Sequence, residues 1–391
     1  TAADCEDRCD QIEREMRDPK AAERFALKQS QAFVDQMEGF ALELEDELMN
    51  FSDVSYKSFV KSESEIITLF YDKFADIPLL SRMDAVAETF IDEIETLLNR
   101  DLPEEERIPL IEKFQKMYET MDFYVLYNRF LKKEGYQTLP RRPLEKRKLR
   151  YEDVYPVLYL KYRLSRQAER SNIKHLVIDE MQDYSRLQYL IIRRMFSCKM
   201  TILGDRAQTM ADQQQDVLQF LPGIFGKDLR RIEMRKSYRN TVEIASYAAN
   251  LIGVTDLELF ERHGMPVLER DVTDLEAALR EAVDTLFPDE KTYETAAVIV
   301  PDEKTAERAY LILREILAEK DFDCEKRLSW LNRDSSSFKK GLTVTTFYLA
   351  KGLEFDQVFS IFPKDEKREI MMQAQYIAAT RALHELRVYH I

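Results

Sequence analysis

The chain has 391 residues, 45% hydrophobic and 33% charged, which gives room for two or three domains with a sizeable core and excludes a disordered or fibrous protein. No stretch approaches 18 uninterrupted apolar residues, and the start TAADCEDRCD has no charged-then-apolar layout. No membrane span or secretory signal is therefore read, and a cytoplasmic protein without a membrane partner is expected. The net charge of −14 is lopsided, with 32 acidic against 17 basic residues in 1–140 and 40 against 41 in 141–391.

Cys5 and Cys9 open the chain without a second pair to complete a zinc site, and with Cys198 and Cys324 they are too scattered for a disulfide framework. A reducing compartment is expected. Because the first residue is Thr, the chain is expected to be a fragment of a longer one. Before Gly135 there is one glycine, Gly39, and the apolar residues fall at helical spacing. Phe33, Met37, Phe40, Leu44 and Leu48 form one stripe, and Met83, Val86, Phe90, Ile94, Leu97 and Leu98 another. Pro78, Pro103 and Pro109 punctuate them. This predicts an acidic all-helical domain over 1–145 with five or six helices, its stripes serving as core. Such acidity repels a phosphate backbone and suits a basic protein surface, or is a solvated face.

The run RRPLEKRKLR at 141–150, six basic residues against one acid, marks a boundary and is a weaker nucleic-acid signal. Beyond it, short apolar runs alternate with helical stretches. KHLVID (174–179), MTILGD (200–205), RRIEM (230–234), AAVIV (296–300), LTVTTF (342–347), QVFSIF (357–362) and LRVYHI (386–391) read as strands. This alternation implies parallel sheets covered by helices, in an α/β class, and the length suits two lobes.

The chemistry-bearing residues sit at the ends of these runs. DEMQD follows a strand directly; an Asp that holds Mg²⁺ beside a carboxylate that polarises water is the arrangement phosphoryl hydrolysis needs, and Asp179 with Glu180 fits. The next strand ends GDRAQ, where Gln208 is placed to sense a γ-phosphate, or Asp205 simply caps a helix. SYRN puts Tyr238, Arg239 and Asn240 at a strand-to-helix turn. KGLEF supplies Lys351, Gly352 and Glu354, and QYIAATRAL puts Tyr376, Thr380 and Arg381 on a helix. Arginines stabilise charge on transferring phosphoryl oxygens, although each one alone is as compatible with ordinary surface.

Together and in this order, these segments resemble the UvrD/Rep/PcrA group of superfamily 1 helicases over residues 175–391. The family's DExQD pattern matches Asp179, Glu180, Gln182 and Asp183, with Met181 where Ala or Phe is more usual. GDxxQ matches Gly204, Asp205 and Gln208; the YR motif matches Arg239; KGLEF matches Lys351 to Phe355, with Tyr348 where many members have His; TRA matches Thr380, Arg381 and Ala382. The resemblance implies two RecA-like lobes, the first incomplete here, that close on ATP and Mg²⁺ and move DNA, single-stranded or duplex. It implies lobes over 146–228 and 229–391. It also implies Asp179 as metal ligand, Glu180 as the water-activating base, Gln208, Arg239 and Arg381 on phosphate (Arg381 as the arginine finger), and Lys351, Gly352 and Glu354 on the nucleotide, Glu354 at its ribose.

Two absences refine the placement. No G-x-x-x-x-G-K-[ST] occurs among only nine glycines; GIFGK at 223–227 has the wrong spacing and reads as a turn. Arg239 and Lys351 are 112 positions apart, leaving no room for the large insertion that UvrD carries there. Helical mass before DEMQD instead resembles the layout of HelD-type helicases, which release RNA polymerase from nucleic acid. That resemblance makes RNA polymerase a partner through residues 1–140 and places the P-loop upstream of Thr1. The alternative is a P-loop-less pseudo-helicase that acts as a binding module. A metal nuclease built on Asp179, Glu180, Asp183 and Asp205 would leave Arg239, Lys351 and Arg381 unexplained.

Overall fold

The computed structural model describes residues 4–166, 172–205, 208, 217–234, 236–254, 258–286, 293–320, 323–335, 340–364 and 368–391. They form two compact units. One gathers residues 1–11, 23–203 and 215–229, the other residues 12–22, 204–214 and 230–391.

The first unit's elements run β1 (Asp4–Cys5), α1 (Arg8–Arg17), α2 (Pro19–Gln29), α3 (Gln31–Glu47), β2 (Val54–Tyr56), β3 (Phe59–Lys61), α4 (Glu63–Thr68), α5 (Arg82–Leu98), α6 (Glu104–Gln115), α7 (Phe123–Lys133), β4 (Lys148–Leu149), α8 (Tyr151–Leu164), β5 (His175–Ile178), α9 (Arg186–Met195), β6 (Lys199–Ile202) and α10 (Val217–Phe225), although α1 from Ile12 onward, with the start of α2, groups with the second unit. Helix α3 begins where Ser30 Oγ accepts the Phe33 N–H at 3.1 Å and buries the whole predicted stripe from Phe33 to Leu48. Helix α5 ends on Asn99 in the left-handed region, φ 50°, which an Asn tolerates better than most side chains.

These helices share one core, in which Phe33, Phe70, Phe90, Phe114, Tyr127 and Phe130 are fully enclosed. Leu187 and Ile191 of α9 belong to the same core. A polar tie reinforces it: Glu38 of α3 accepts from Tyr159 and from Arg163 Nε of α8, the latter at 2.9 Å, and from Arg194 Nη2 of α9 at 3.2 Å. Burial pushes the Glu38 carboxyl up, but the Tyr159 and Arg163 hydrogen bonds and the two arginine charges outweigh it, so the net shift is downward.

The second unit contains β7 (Lys236–Ser237), α11 (Val242–Leu251), β8 (Glu258–Leu259), β9 (Leu268–Asp271), α12 (Leu275–Asp284), β10 (Thr295–Val300), α13 (Glu303–Ala318), α14 (Cys324–Arg327), β11 (Leu328–Trp330), β12 (Gly341–Thr346), α15 (Phe347–Ala350), β13 (Phe355–Phe362), α16 (Glu369–Thr380) and β14 (Ala382–His390). Six strands form one sheet in the order β11-β12-β10-β13-β14-β9, with every neighbouring pair parallel. Strands β10, β12 and β13 are buried almost end to end, as a parallel sheet covered on both faces requires. The α/β class is therefore what the structure shows, with a part that is mostly rather than entirely helical.

Several sequence expectations change. Seven α-helices, not five or six, lie before residue 135, with a β2–β3 hairpin among them. Leu97 is 72% exposed and Leu98 is exposed too, because α5 ends there, beyond its packed face. Pro109 lies inside α6 rather than between helices. RRIEM forms no strand: Ile232 and Met234 are 75% and 90% exposed, and without a paired neighbour their alternation has nothing to bury against. GIFGK is not a turn throughout, since Gly223 to Phe225 finish α10 and a 3₁₀ turn follows at Gly226–Asp228. β5 pairs in parallel with β6 from His175↔Lys199 to Ile178↔Ile202, yet only Ile178 is buried. It packs on Tyr189, Val217, Phe220 and Leu221, whereas Val177 on the opposite face is 60% exposed. Among the described residues no helix is long and apolar enough to cross a membrane.

Phe359, fully buried in β13, sets the scale of the second core. Phe359→Ala is expected to cost about 3–5 kcal/mol, and Met234→Ala to stay within about 0.5 kcal/mol. Urea unfolding of both variants checks the contrast.

Candidate functional site

Asp179 and Glu180 stand directly after β5, at the carboxyl end of a parallel strand, where α/β sheets offer ligand sites. The chain turns sharply there. Glu180 is in the left-handed region, φ 51°, before the 3₁₀ turn Met181–Asp183. A non-glycine residue holds that conformation only when its surroundings impose it. Leu203 N–H bonds the Ile178 carbonyl and Met181 N–H the Leu203 carbonyl, both at 2.8 Å, bracketing the turn. Asp179 Oδ1 accepts the Glu180 N–H at 2.8 Å, and Gln182, buried, donates to Glu180 Oε2 at 2.7 Å. Ser185 and Gln188 then form a capping box that starts α9.

In the second unit a hydrogen-bonded group forms around Arg381, the residue after α16. Its Nη2 lies 3.0 Å from Gln208 Oε1 and 3.1 Å from Thr380 Oγ1, its Nη1 3.3 Å from the Leu353 carbonyl, and its Nε 3.3 Å from the Ile377 carbonyl. The guanidinium is 1% exposed, and burial of that charge is tolerable only because its N–H groups find oxygens. Gln208 Nε2 in turn donates to Asp205 Oδ2 at 3.0 Å, and Lys351 Nζ to the Gln208 carbonyl at 2.8 Å. Tyr376 OH lies 3.4 Å from Asp205 Oδ2. Burial, and then the Asp205 charge, push its phenol well above the usual range.

A second group is formed by Arg239 and Glu354, Nε to Oε1 at 2.6 Å, both partly exposed. Glu354 follows Gly352, whose φ of +83° gives the loop before β13 a conformation that L side chains rarely adopt. Asn240, buried, donates to the carbonyls of Ala382 at 2.6 Å and Thr380 at 3.2 Å. Phe355 N–H donates to the Arg381 carbonyl at 2.9 Å.

The second unit thus brings together Gln208, Lys351, Tyr376, Thr380 and Arg381, and links Arg239 with Glu354. Asp179 and Glu180 belong to the first unit. Sequence reading missed Arg262, whose Nη2 donates to the carbonyls of Arg239, at 2.6 Å, and Leu383. No local pattern announces it; the one hint is Gly264, where a Cβ would come within 2.7 Å of Thr241 Cγ2. The Arg262 loop is fastened by Glu243, which faces His263 Nδ1 at 2.9 Å and accepts the Gly264 N–H at 2.8 Å. These bonds, His263 foremost, hold the Glu243 carboxyl down at about 2. Among the described residues no three His, Cys, Asp or Glu side chains converge as a metal cage.

A family model described as the UvrD/REP helicase N-terminal domain matches residues 9–210. Solved structures similar to the chain include the C-terminal domain of a possible DNA helicase from Lactobacillus plantarum WCFS1, at 23% identity and TM-score 0.31, covering 40% of this chain and 88% of that one. Another is the PRRSV helicase, at 14% identity and TM-score 0.33, covering 68% and 45%. A third is arterivirus nonstructural protein 10, a helicase, in complex with DNA, at 15% identity and TM-score 0.31, covering 68% and 51%. The chain spans about half the length of these two viral helicases. Comparison with curated proteins finds no match.

Glu243 makes the loop acid-sensitive. Its folded pKa lies below the ordinary value of about 4.3, so the stability it contributes is full above that value and is lost as pH falls toward about 2. Glu243→Gln is expected to destabilise the protein at pH 6 more than near pH 2.5, read as the difference between wild-type and variant urea midpoints at the two pH values.

Proposed function

The chain belongs to the UvrD/REP helicase family, and from that premise we propose that it carries the hydrolytic and phosphate-sensing residues of an ATP-dependent DNA translocase. Asp179 is assigned to Mg²⁺ and Glu180 to the attacking water. Gln208, Arg239 and Arg381 are assigned to the phosphates, Lys351 and Gly352 to the nucleotide, and Glu354 to its ribose. The observation that best supports this reading is the Arg381–Gln208 hydrogen bond of 3.0 Å. It joins two residues, 173 positions apart, that the sequence motifs assign separately to phosphate.

Asp179 suits Mg²⁺ because such sites take one or two carboxylates and leave the other positions to phosphate and water. Its carboxylate is exposed, and among the described residues Oδ1 accepts the Glu180 N–H. Bound Mg²⁺ would neutralise phosphate charge. Glu180, held by Gln182 and by its left-handed backbone, would orient a water and take its proton. Arg381 would exchange Gln208 Oε1 for a phosphate oxygen, and Gln208 Nε2, which now donates to Asp205 Oδ2, would donate to the same phosphate. Arg239 would exchange Glu354 in a similar way.

Within this reading residues 1–145 are an acidic helical insertion, and 146–228 and 229–391 belong to the two lobes. The layout resembles HelD-type proteins, which makes RNA polymerase the partner of residues 1–140. The net −15 of that segment suits a basic protein surface better than nucleic acid. Polymerase release is therefore favoured over processive unwinding.

Because its sequence contains no P-loop, the 391-residue chain should hydrolyse Mg·ATP little or not at all. Turnover typical of helicases, about 1 s⁻¹ or more, that Glu180→Gln abolishes would overturn this expectation. Core RNA polymerase should co-sediment with the chain at low salt, and reversing the exposed charges Asp92, Asp101, Glu104 and Glu105 should weaken the association. No co-sedimentation at low salt would count against the partner, and strand cleavage that survives Arg381→Ala would point to a nuclease instead.

A further inference from the structure

Between β7 and α11 the chain passes through Arg239, Asn240 and Thr241. Thr241 already caps α11 by accepting the Ile244 N–H at 3.4 Å, so the helix start does not need Asn240. An asparagine that merely made a turn would bond its own loop. Asn240, only 7% exposed, instead donates to the carbonyls of Thr380 and Ala382, 140 and 142 positions away. A side-chain amide has two hydrogens, and here they go to the carbonyls on either side of Arg381.

The carbonyl between them, that of Arg381 itself, takes the Phe355 N–H at 2.9 Å, and the next, that of Leu383, takes Arg262 Nη2. Four consecutive carbonyls, from Thr380 to Leu383, are therefore pinned by donors from three other segments. Arg262 Nη2 also bonds the Arg239 carbonyl at 2.6 Å. The backbones that carry Arg239 and Arg381 are thus tied to each other through Asn240 and Arg262, both of which leave the guanidinium groups themselves untouched.

We propose that Asn240 is a positioning residue that sets Arg381 and Arg239 at a fixed separation for one polyphosphate, with Arg262 completing the tie. This rests on the proposed function in that the two arginines act on a nucleotide. The positional part stands on geometry alone. Asn240→Asp keeps the shape and removes the donors, so a carboxylate oxygen faces the carbonyls and the segment around Arg381 must shift.

The test uses the 391-residue chain with ¹⁵N-labelled arginine, as wild type, Asn240→Asp and Asn240→Ala, with Arg239→Lys and Arg381→Lys to assign the two Nε–Hε signals. Both signals are expected to move in Asn240→Asp. The affinity for Mg·ATPγS, followed on the same signals, should fall about tenfold or more, while the melting temperature stays within about 3 °C of wild type. A purely structural Asn240 would not give an affinity loss at unchanged melting. If Asn240→Asp does not fold, Asn240→Ala is read in its place. Signals of both arginines unmoved in the folded variants would overturn the positioning role. If Mg·ATPγS leaves the wild-type signals unmoved while Asn240→Asp shifts them, the polyphosphate part of this proposal is overturned and the positioning stands.

Discussion

Strands β13 and β14 lie parallel with Phe355 opposite Ala382, and much of the second unit's chemistry depends on that register. It sets Glu354 and Arg381, each the residue before its strand, side by side at the amino ends of two neighbouring strands. It also presents the Arg381 carbonyl to the Phe355 N–H. Beyond a one-residue irregularity after Phe355, Gln357 pairs with Glu385, and Leu386 and Val388 of β14 are buried; a one-residue slip would turn these two to the other face of the sheet. The register is therefore held by the core as much as by the site. The buried guanidinium of Arg381 is acceptable to the fold only while this placement delivers oxygens from Ile377, Leu353, Thr380 and Gln208 to it.

The motif residues do not share one end of their strands. Asp179 and Glu180 follow β5 at its carboxyl end, as in most open α/β sheets. Glu354 and Arg381 precede β13 and β14 at the amino end, and a rule about carboxyl ends would never have found them. They stand out in the sequence because Lys351, Gly352, Glu354 and Arg381 form short local patterns of charge and glycine.

This separates what was legible from what was not. The buried strands β10, β12 and β13 could be read because a strand covered on both faces must be continuously apolar, and their sequences are. The α3 stripe could be read because helical spacing is local. RRIEM could not, since apolar alternation shows only what a strand would bury if a partner were present. Val177 misled for a related reason: a run of apolar residues does not say whether a second layer covers the sheet. Asn240 and Arg262 were out of reach altogether. Both partners of Asn240, and Leu383 for Arg262, lie more than a hundred positions away, and an asparagine beside an arginine motif looks like any turn residue.

The helical part shows the same limit for charge. Many of its carboxylates are occupied internally, with Glu38 on Arg163 and Arg194, Glu45 on Arg82, Glu93 on Lys61, Glu88 and Glu95 on Arg107, and Asp153 on Lys28. These pairs join helices, and the buried ones shape the core rather than the surface. With 32 acids against 17 bases, however, pairing cannot neutralise the segment. The surplus faces solvent around the end of α5 and the start of α6, where Asp92, Asp101, Glu104 and Glu105 are exposed, as are Leu97 and Ile108. A polyanion is a poor occupant of such a surface, whereas a basic protein face with apolar contacts is a suitable one. On the proposed reading, charge would keep nucleic acid away from the helical part.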